Sequence, residues 1–133
     1  MSTNKIISLL FYTAAFYNLL AGALFAFAAP AIFDLAKIAP PSHWGYVEYP
    51  AWILMVFGAL AVQIAKKPEL NRNLIPYGVA QKMAFAGVVI YYWIGNQMPS
   101  VWYPFAIIDV LFLLGFLWAM YSLAQTTKKL STY

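Results

Sequence analysis

The chain has 133 residues, of which 64% are hydrophobic, 19% are aromatic and only 9% are charged. Soluble domains carry about 25% charged residues and about half apolar ones, so a water-exposed globular domain and a disordered chain are both excluded. The net charge of +4 comes from eight basic and four acidic residues, too few for the dense basic patch of a nucleic-acid-binding domain. We therefore expect an all-α polytopic membrane protein whose partner is the lipid bilayer and not a nucleic acid.

Several kinds of chemistry are excluded by residues that the sequence lacks. There is no cysteine, so disulfides, thiolate catalysis, iron–sulfur clusters and Cys-ligated zinc are ruled out. A single histidine, His43, rules out a multi-histidine metal site or a bis-histidine haem within one chain. The four carboxylates are spread along the sequence, and we expect neither a bound metal nor a cofactor.

Four segments are long and apolar enough, or nearly so, to cross a bilayer, which takes about 20 residues for a hydrocarbon core of about 30 Å. In chain order they are residues 6–29, 49–65, 74–93 and 104–123. The second is the shortest and opens at Pro50, a residue suited to a first helical turn. The sequence therefore predicts one domain, a four-transmembrane-helix bundle with up-down topology.

The basic residues indicate how these spans are oriented. Three groups flank the same side of the predicted bundle: Lys5, then Lys66, Lys67 and Arg72, then Lys128 and Lys129. Lys37 alone lies on the opposite side. By the positive-inside rule both termini are cytoplasmic, and we expect a multi-pass protein of the bacterial inner membrane.

The only long connection is the outer loop that follows the first span, residues 30–48. Apolar residues around Asp34 and Lys37 predict a short interfacial helix over residues 31–38. Two prolines then break the helix. The loop is interpreted either as packing on the lipid headgroups or as a lid over a cavity between the helices.

Two ionisable residues fall inside the predicted spans, Lys82 and Asp109. Such residues are rare in membranes and often mark functional sites. Counting about 1.5 Å per residue from the cytoplasmic ends puts Asn18 about 18 Å deep, Asp109 about 21 Å and Lys82 about 12 Å. Because a lysine side chain reaches about 6 Å further, the three can meet near the midplane. Gln81 and Trp93, which lies near the Lys82 face, are further candidate contacts.

Small and bulky residues predict how the helices pack. The face around Asn18 carries small residues that allow close approach: Ala14, Ala15, Ala21 and Gly22. A second small-residue seam, formed by Ala80, Ala84 and Gly87, lies on a different face from Lys82. We expect both seams to pack within the bundle, with a contact to another subunit as the alternative. Phe112 is expected to face lipid, and the chain is expected to form a homo-oligomer.

One short stretch resembles a known family. Residues 45–50, with the sequence GYVEYP, resemble the Gly-Tyr-Pro approach to a span in the DoxX-like group. The stretch lacks the lysine that usually follows the glycine, and no residue role follows from it. The small multidrug transporters are unlike this chain, because they carry a glutamate in the first span.

Four interpretations of the Lys82 and Asp109 pair remain open. The pair can be a structural ion pair that sets helix register, a site for a transported ion or solute, a head-group site for a lipophilic ligand, or a catalytic pair.

The leading hypothesis is a small integral membrane protein that binds a lipophilic or small polar ligand in an intramembrane cavity, with or without transport. Asn18, Lys82, Asp109, Gln81 and Trp93 would supply the ligand contacts. One alternative is a non-catalytic accessory or assembly subunit of a larger membrane complex. Another is an enzyme that uses Lys82 and Asp109 on a membrane-soluble substrate. The enzyme is disfavoured because no nucleophile-and-base or metal constellation is present.

Overall fold

The computed structural model describes the backbone of residues 2–130 and the side chains of residues 2–126. This part of the chain is all-helical and contains no strand. Its α-helices are α1 (Thr3–Phe27), α2 (Ala29–Ala36), α3 (Gly45–Lys66), α4 (Ile75–Ile94) and α5 (Tyr103–Leu130). Single turns of 3-10 helix precede α4 and α5, at Arg72–Leu74 and Ser100–Trp102.

Four of these helices are long and apolar enough to cross a membrane. The candidate spans cover 25, 22, 23 and 27 residues: Thr3–Phe27, Gly45–Lys66, Arg72–Ile94 and Ser100–Thr126. Each exceeds the length of about 20 residues that a bilayer requires. The prediction of an all-α chain with four such helices is confirmed, and it fits a multi-pass membrane protein.

Helix α3 begins earlier than the sequence predicted. The sequence predicts a span over residues 49–65 with Pro50 in its first turn, whereas α3 begins at Gly45. The N–H groups of Val47 and Glu48 donate to the Trp44 carbonyl, 2.8 and 2.9 Å away, and these bonds add a turn before the proline. Pro50 therefore lies inside the helix, in its second turn, where it has no N–H to donate to the preceding turn.

The four long helices pack mainly as two pairs, α1 with α3 and α4 with α5. The approach within the first pair depends on glycine. A Cβ atom on Gly22 would lie 2.8 Å from the carbonyl oxygen of Ala51, and one on Gly58 would lie 2.7 Å from Cγ of Leu19. Gly22, on the small-residue face around Asn18, therefore lets α1 approach α3 closely, and this seam packs within the bundle as expected.

The hydrophobic core lies at the end of the bundle remote from α2. Phe11 of α1 stacks on Phe116 of α5, with ring centroids 4.4 Å apart. Side chains from all four long helices surround this pair, and they include Ile7, Ala61, Ile64, Ile75, Ala119 and Leu123. The remote end is therefore closed by packing, whereas the end near α2 is more open.

The two faces of α4 have different surroundings. The buried stripe is formed by Ile75, Gly78, Lys82, Ala86 and Val89. The seam of Ala80, Ala84 and Gly87 is exposed, and a Cβ atom on Gly87 would meet no atom of the described chain within 4 Å. The expectation that both seams pack within the bundle is wrong for this one, because all three of its residues are exposed.

Candidate functional site

Three polar side chains from three helices meet in the interior of the bundle. Lys82 of α4 donates hydrogen bonds from Nζ to Oδ1 of Asn18 in α1 and to Oδ1 of Asp109 in α5, each 2.7 Å long. Lys82 is 0% exposed, and Asn18 and Asp109 are each 2% exposed. The structure thus brings together the three residues that the depth count placed near one level.

Two aromatic rings complete the surroundings of the ammonium group. Nζ of Lys82 lies 5.1 Å from the ring centroid of Tyr17 and 5.3 Å from that of Phe112, within the range of cation–π attraction. Removing an ion from water costs several kcal/mol, and here the Asp109 carboxylate, the Asn18 amide oxygen and two ring faces offset that cost. The expectation that Phe112 faces lipid is wrong, since its ring packs toward Lys82.

This polar cluster joins the two helix pairs. Asn18 belongs to the α1–α3 pair, whereas Lys82 and Asp109 belong to the α4–α5 pair. Along α1, Ala14 belongs to the hydrophobic core one turn before Asn18, and Ala21 lines a cavity one turn after it. The cluster therefore lies at the junction between the core and the cavity.

The cavity has a volume of about 710 Å³ and lies between all four long helices, on the side of the cluster nearer α2. Its walls are mainly apolar, and aromatic residues from every long helix contribute: Tyr17, Phe25, Phe57, Phe85, Trp102 and Phe105. Asp109 is the charged residue that lines it, whereas Lys82 and Asn18 do not reach its surface. The site is thus a largely apolar volume with a carboxylate at its inner end.

Besides Asp109 of α5, Gln81 of α4 is a polar residue that lines the cavity. Its Oε1 is buried, and no residue that the structure describes donates a hydrogen bond to it. Lys82 contacts Oδ1 of Asp109, and the other carboxylate oxygen, Oδ2, receives no hydrogen bond from the described residues. Asp109 and Gln81 therefore both line the apolar cavity, and each has an acceptor oxygen without a hydrogen-bond partner among the described residues.

Trp93 lies outside the lining of the cavity. Its ring stacks on that of Tyr103, with centroids 3.9 Å apart and planes 7° from parallel, and it does not line the cavity. Trp93 follows Lys82 by three helical turns, far enough to carry it to the end of α4. Of the five residues predicted to contact a ligand, Asp109 and Gln81 reach the cavity, Asn18 and Lys82 lie behind it, and Trp93 is remote.

Several cavity residues had no distinguishing signal in the sequence. Phe25, Phe57, Phe85 and Phe105 belong to apolar runs in which lipid-facing and cavity-facing aromatics look alike. Trp102 belongs to a group of residues that the aromatic belt of a membrane protein also explains. Its ring instead lies 5.3 Å from that of Phe25 and closes one wall of the cavity.

The residues that line the cavity define which chemical groups the site presents. Among residues 2–126, no three His, Cys, Asp or Glu side chains come together as a metal site would require. The cavity offers acceptor oxygens and aromatic faces, and the charge of Asp109 is balanced by Lys82. Comparison of the chain with protein-family models, with curated proteins and with solved structures found no match.

Proposed function

We propose that this chain is a small membrane protein that binds a lipophilic ligand in the cavity between α1, α3, α4 and α5. The observation that carries the proposal is the cavity itself. Its volume of about 710 Å³ lies within the range of about 300–1,000 Å³ typical of small-molecule sites. Such sites combine apolar and aromatic walls with a few polar groups that orient the ligand, and Asp109 and Gln81 are those groups here.

The proposal includes an orientation in the bilayer. With up-down topology and both termini in the cytoplasm, the cavity occupies the outer half of the membrane, and the basic residues Lys66 and Lys67 lie at the opposite face. The bacterial inner membrane is the proposed location. Phe11 and Phe116 then belong to the closed cytoplasmic half, so the ligand exchanges with the outer leaflet.

The entrance is proposed to lie between α3 and α4, which contact each other much less than either contacts its own partner. Tyr46 and Tyr49 line the cavity and are 72% and 70% exposed, as residues at a mouth are. Ala84 lines the cavity from α4 and is also exposed. A ligand with an apolar body can enter here directly from the bilayer, without crossing water.

The test blocks the cavity from its α4 wall. In the substitution Ala84→Trp the new side chain extends into the volume that the ligand would occupy. The matched control is Ala80→Trp, which adds the same ring to an exposed position of α4 outside the cavity. Native mass spectrometry of protein extracted gently from its own membrane should show an added mass on the wild type and on the control, and none on Ala84→Trp.

Two results would contradict the proposal. The wild-type protein could carry no added mass under conditions that preserve bound lipids. Alternatively, Ala84→Trp could retain the same added mass as Ala80→Trp, which would place the bound molecule on the outer surface. Either result would favour the accessory-subunit alternative, in which the polar cluster has a purely structural role.

A further inference from the structure

The chemistry of the ligand's head group follows from the two residues with acceptor oxygens that line the cavity, Asp109 and Gln81. Buried polar atoms in folded proteins nearly always have a hydrogen-bond partner. Gln81 Oε1 is buried without one among the described residues, although its side chain lines a cavity large enough to hold a partner molecule. Oε1 itself has almost no accessible surface, so an occupant that donates a hydrogen bond would satisfy it once the Gln81 side chain turns toward the cavity.

The Asp109 carboxylate also has an oxygen that can accept a further hydrogen bond. Lys82 binds one carboxylate oxygen, Oδ1, at 2.7 Å, and an ionised carboxylate has acceptor sites only. Oδ2 can therefore bind a donor and cannot supply one. The Gln81 amide is able to rotate and present either its oxygen or its NH2 group. A hydroxyl head both donates and accepts, so it can donate to Asp109 whichever way the Gln81 amide is turned.

The charges of Lys82 and Asp109 favour a ligand whose head group is uncharged. The Lys82 ammonium already neutralises Asp109, and the attraction is strong because both groups are buried. A cationic head beside Asp109 would bring a second positive charge close to Lys82. An anionic head would be repelled by the Asp109 carboxylate, which cannot donate a hydrogen bond to it. A neutral donor avoids both penalties.

The aromatic residues that line the cavity walls indicate the chemistry of the apolar part of the ligand, here called its body. Phe25, Trp102 and Phe105 form one aromatic group, in which Trp102 lies 5.3 Å from Phe25 and 6.0 Å from Phe105 between ring centroids. Phe57 and Phe85 add rings from α3 and α4. Aromatic faces and edges favour other rings in offset or edge-on contact, so a ring-bearing body gains more from these walls than a linear acyl chain.

We infer that the occupant is a ring-bearing lipophilic alcohol or phenol whose uncharged hydroxyl donates to Asp109 and contacts Gln81. This inference rests on the proposed function, because it names the chemical class of the ligand that the cavity takes. Ring stacking holds the body between Trp102, Phe57 and Phe85. The hydroxyl sits at the inner end, next to the polar cluster.

The experiment compares three probes with one body and different heads: 4-hexylphenol, its methyl ether, and 4-hexylbenzylamine, which is cationic at neutral pH. Their binding to protein in nanodiscs is measured by calorimetry, and empty nanodiscs give the partitioning into lipid. A hydrogen bond to a charged group predicts that the phenol binds the wild-type protein at least about tenfold more tightly than the ether. The amine should bind more weakly than the phenol.

The variant Gln81→Leu removes one of the two acceptors without removing a hydrogen bond from the fold. We expect the preference for phenol over ether to fall at least threefold, with little change in ether binding. Gln63→Leu is the matched control, because Gln63 is an exposed glutamine of α3 that does not line the cavity. Its preference should equal that of the wild type, and thermal unfolding verifies that both variants fold.

The outcomes separate the two proposals. Equal binding of phenol and ether to the wild-type protein, or tighter binding of the amine, overturns the hydroxyl assignment while the cavity remains a binding site. A preference that survives Gln81→Leu unchanged removes Gln81 from the site. If none of the probes binds above the empty-nanodisc level, and Ala84→Trp changes nothing, the proposed function fails as well.

Discussion

Replacing the residues of the buried cluster one at a time should reveal whether the contribution of each charge to the free energy of unfolding depends on the other charge. Lys82→Met leaves the Asp109 carboxylate, 2% exposed, without its only ionic partner among the described residues. Asp109→Leu likewise leaves the Lys82 ammonium with the neutral Asn18 amide and two aromatic rings but no counter-charge. Breaking a buried pair in this way costs about 3–5 kcal/mol. Both single variants should lose that much free energy of unfolding.

The double and triple variants provide the decisive comparison. Lys82→Met with Asp109→Leu removes both charges and keeps the side-chain volumes similar, so the remaining cost is the unpaired amide oxygen of Asn18, about 1–3 kcal/mol. Adding Asn18→Leu removes that last buried polar group. Because apolar replacement of a whole buried network is often neutral, the triple variant should unfold within about 1 kcal/mol of the wild type.

The assay is reversible unfolding in mixed micelles, with the free energy taken from the denaturing-detergent midpoint and slope. A control pair lies at the surface, where Asn4 donates a 2.6 Å hydrogen bond to Glu69 and both residues are accessible. Glu69→Gln should change the free energy by less than about 0.5 kcal/mol. A loss in the double variant equal to the sum of the two single losses would refute the reasoning, because the charges would then be independent.

Three further predictions concern packing and orientation. Gly22→Ala should lower the free energy of unfolding by about 1–3 kcal/mol, because its Cβ would meet a backbone carbonyl of α3, whereas Gly87→Ala should not destabilise the protein, since that position is open. Phe116→Ala should cost about 3–5 kcal/mol by opening a cavity in the core, and an undiminished unfolding midpoint would contradict the stacked geometry. The proposed topology predicts that an impermeant maleimide labels Ser42→Cys on whole cells and leaves Lys67→Cys unlabelled, and the reverse pattern would invert it.

The polar cluster could be predicted for two reasons. Charged residues are rare inside the predicted spans, and the depth of a residue depends only on its position along the helix. Lys82 and Asp109 are the only ionisable residues inside the predicted spans, and a constant rise per residue converts position into depth. Asn18 falls near the same level. Neighbouring helices at matching depth leave few other partners for a buried charge, so counting residues was sufficient.

The cavity could not be predicted in the same way, because it depends on rotation and separation of helices. Whether Phe112 faces lipid or Lys82 is decided by the rotation of α5 about its axis, which a uniformly apolar span leaves undetermined. Trp93 illustrates the limit of a helical-face argument, since sharing a face with Lys82 does not place it at the same level. The space itself results from loose contact between α3 and α4, to which no residue pattern corresponds.

The ion pair links helices that are consecutive in the chain, and this has a consequence for biosynthesis. A lone lysine at the centre of a helix raises its apparent insertion free energy by about 2.5–3.5 kcal/mol, and α4 is also the least apolar of the four spans, whereas α5 is the most apolar. Lys82 and Asp109 are 27 residues apart. We therefore expect α4 and α5 to insert most favourably together, as a hairpin in which the two charges are already paired.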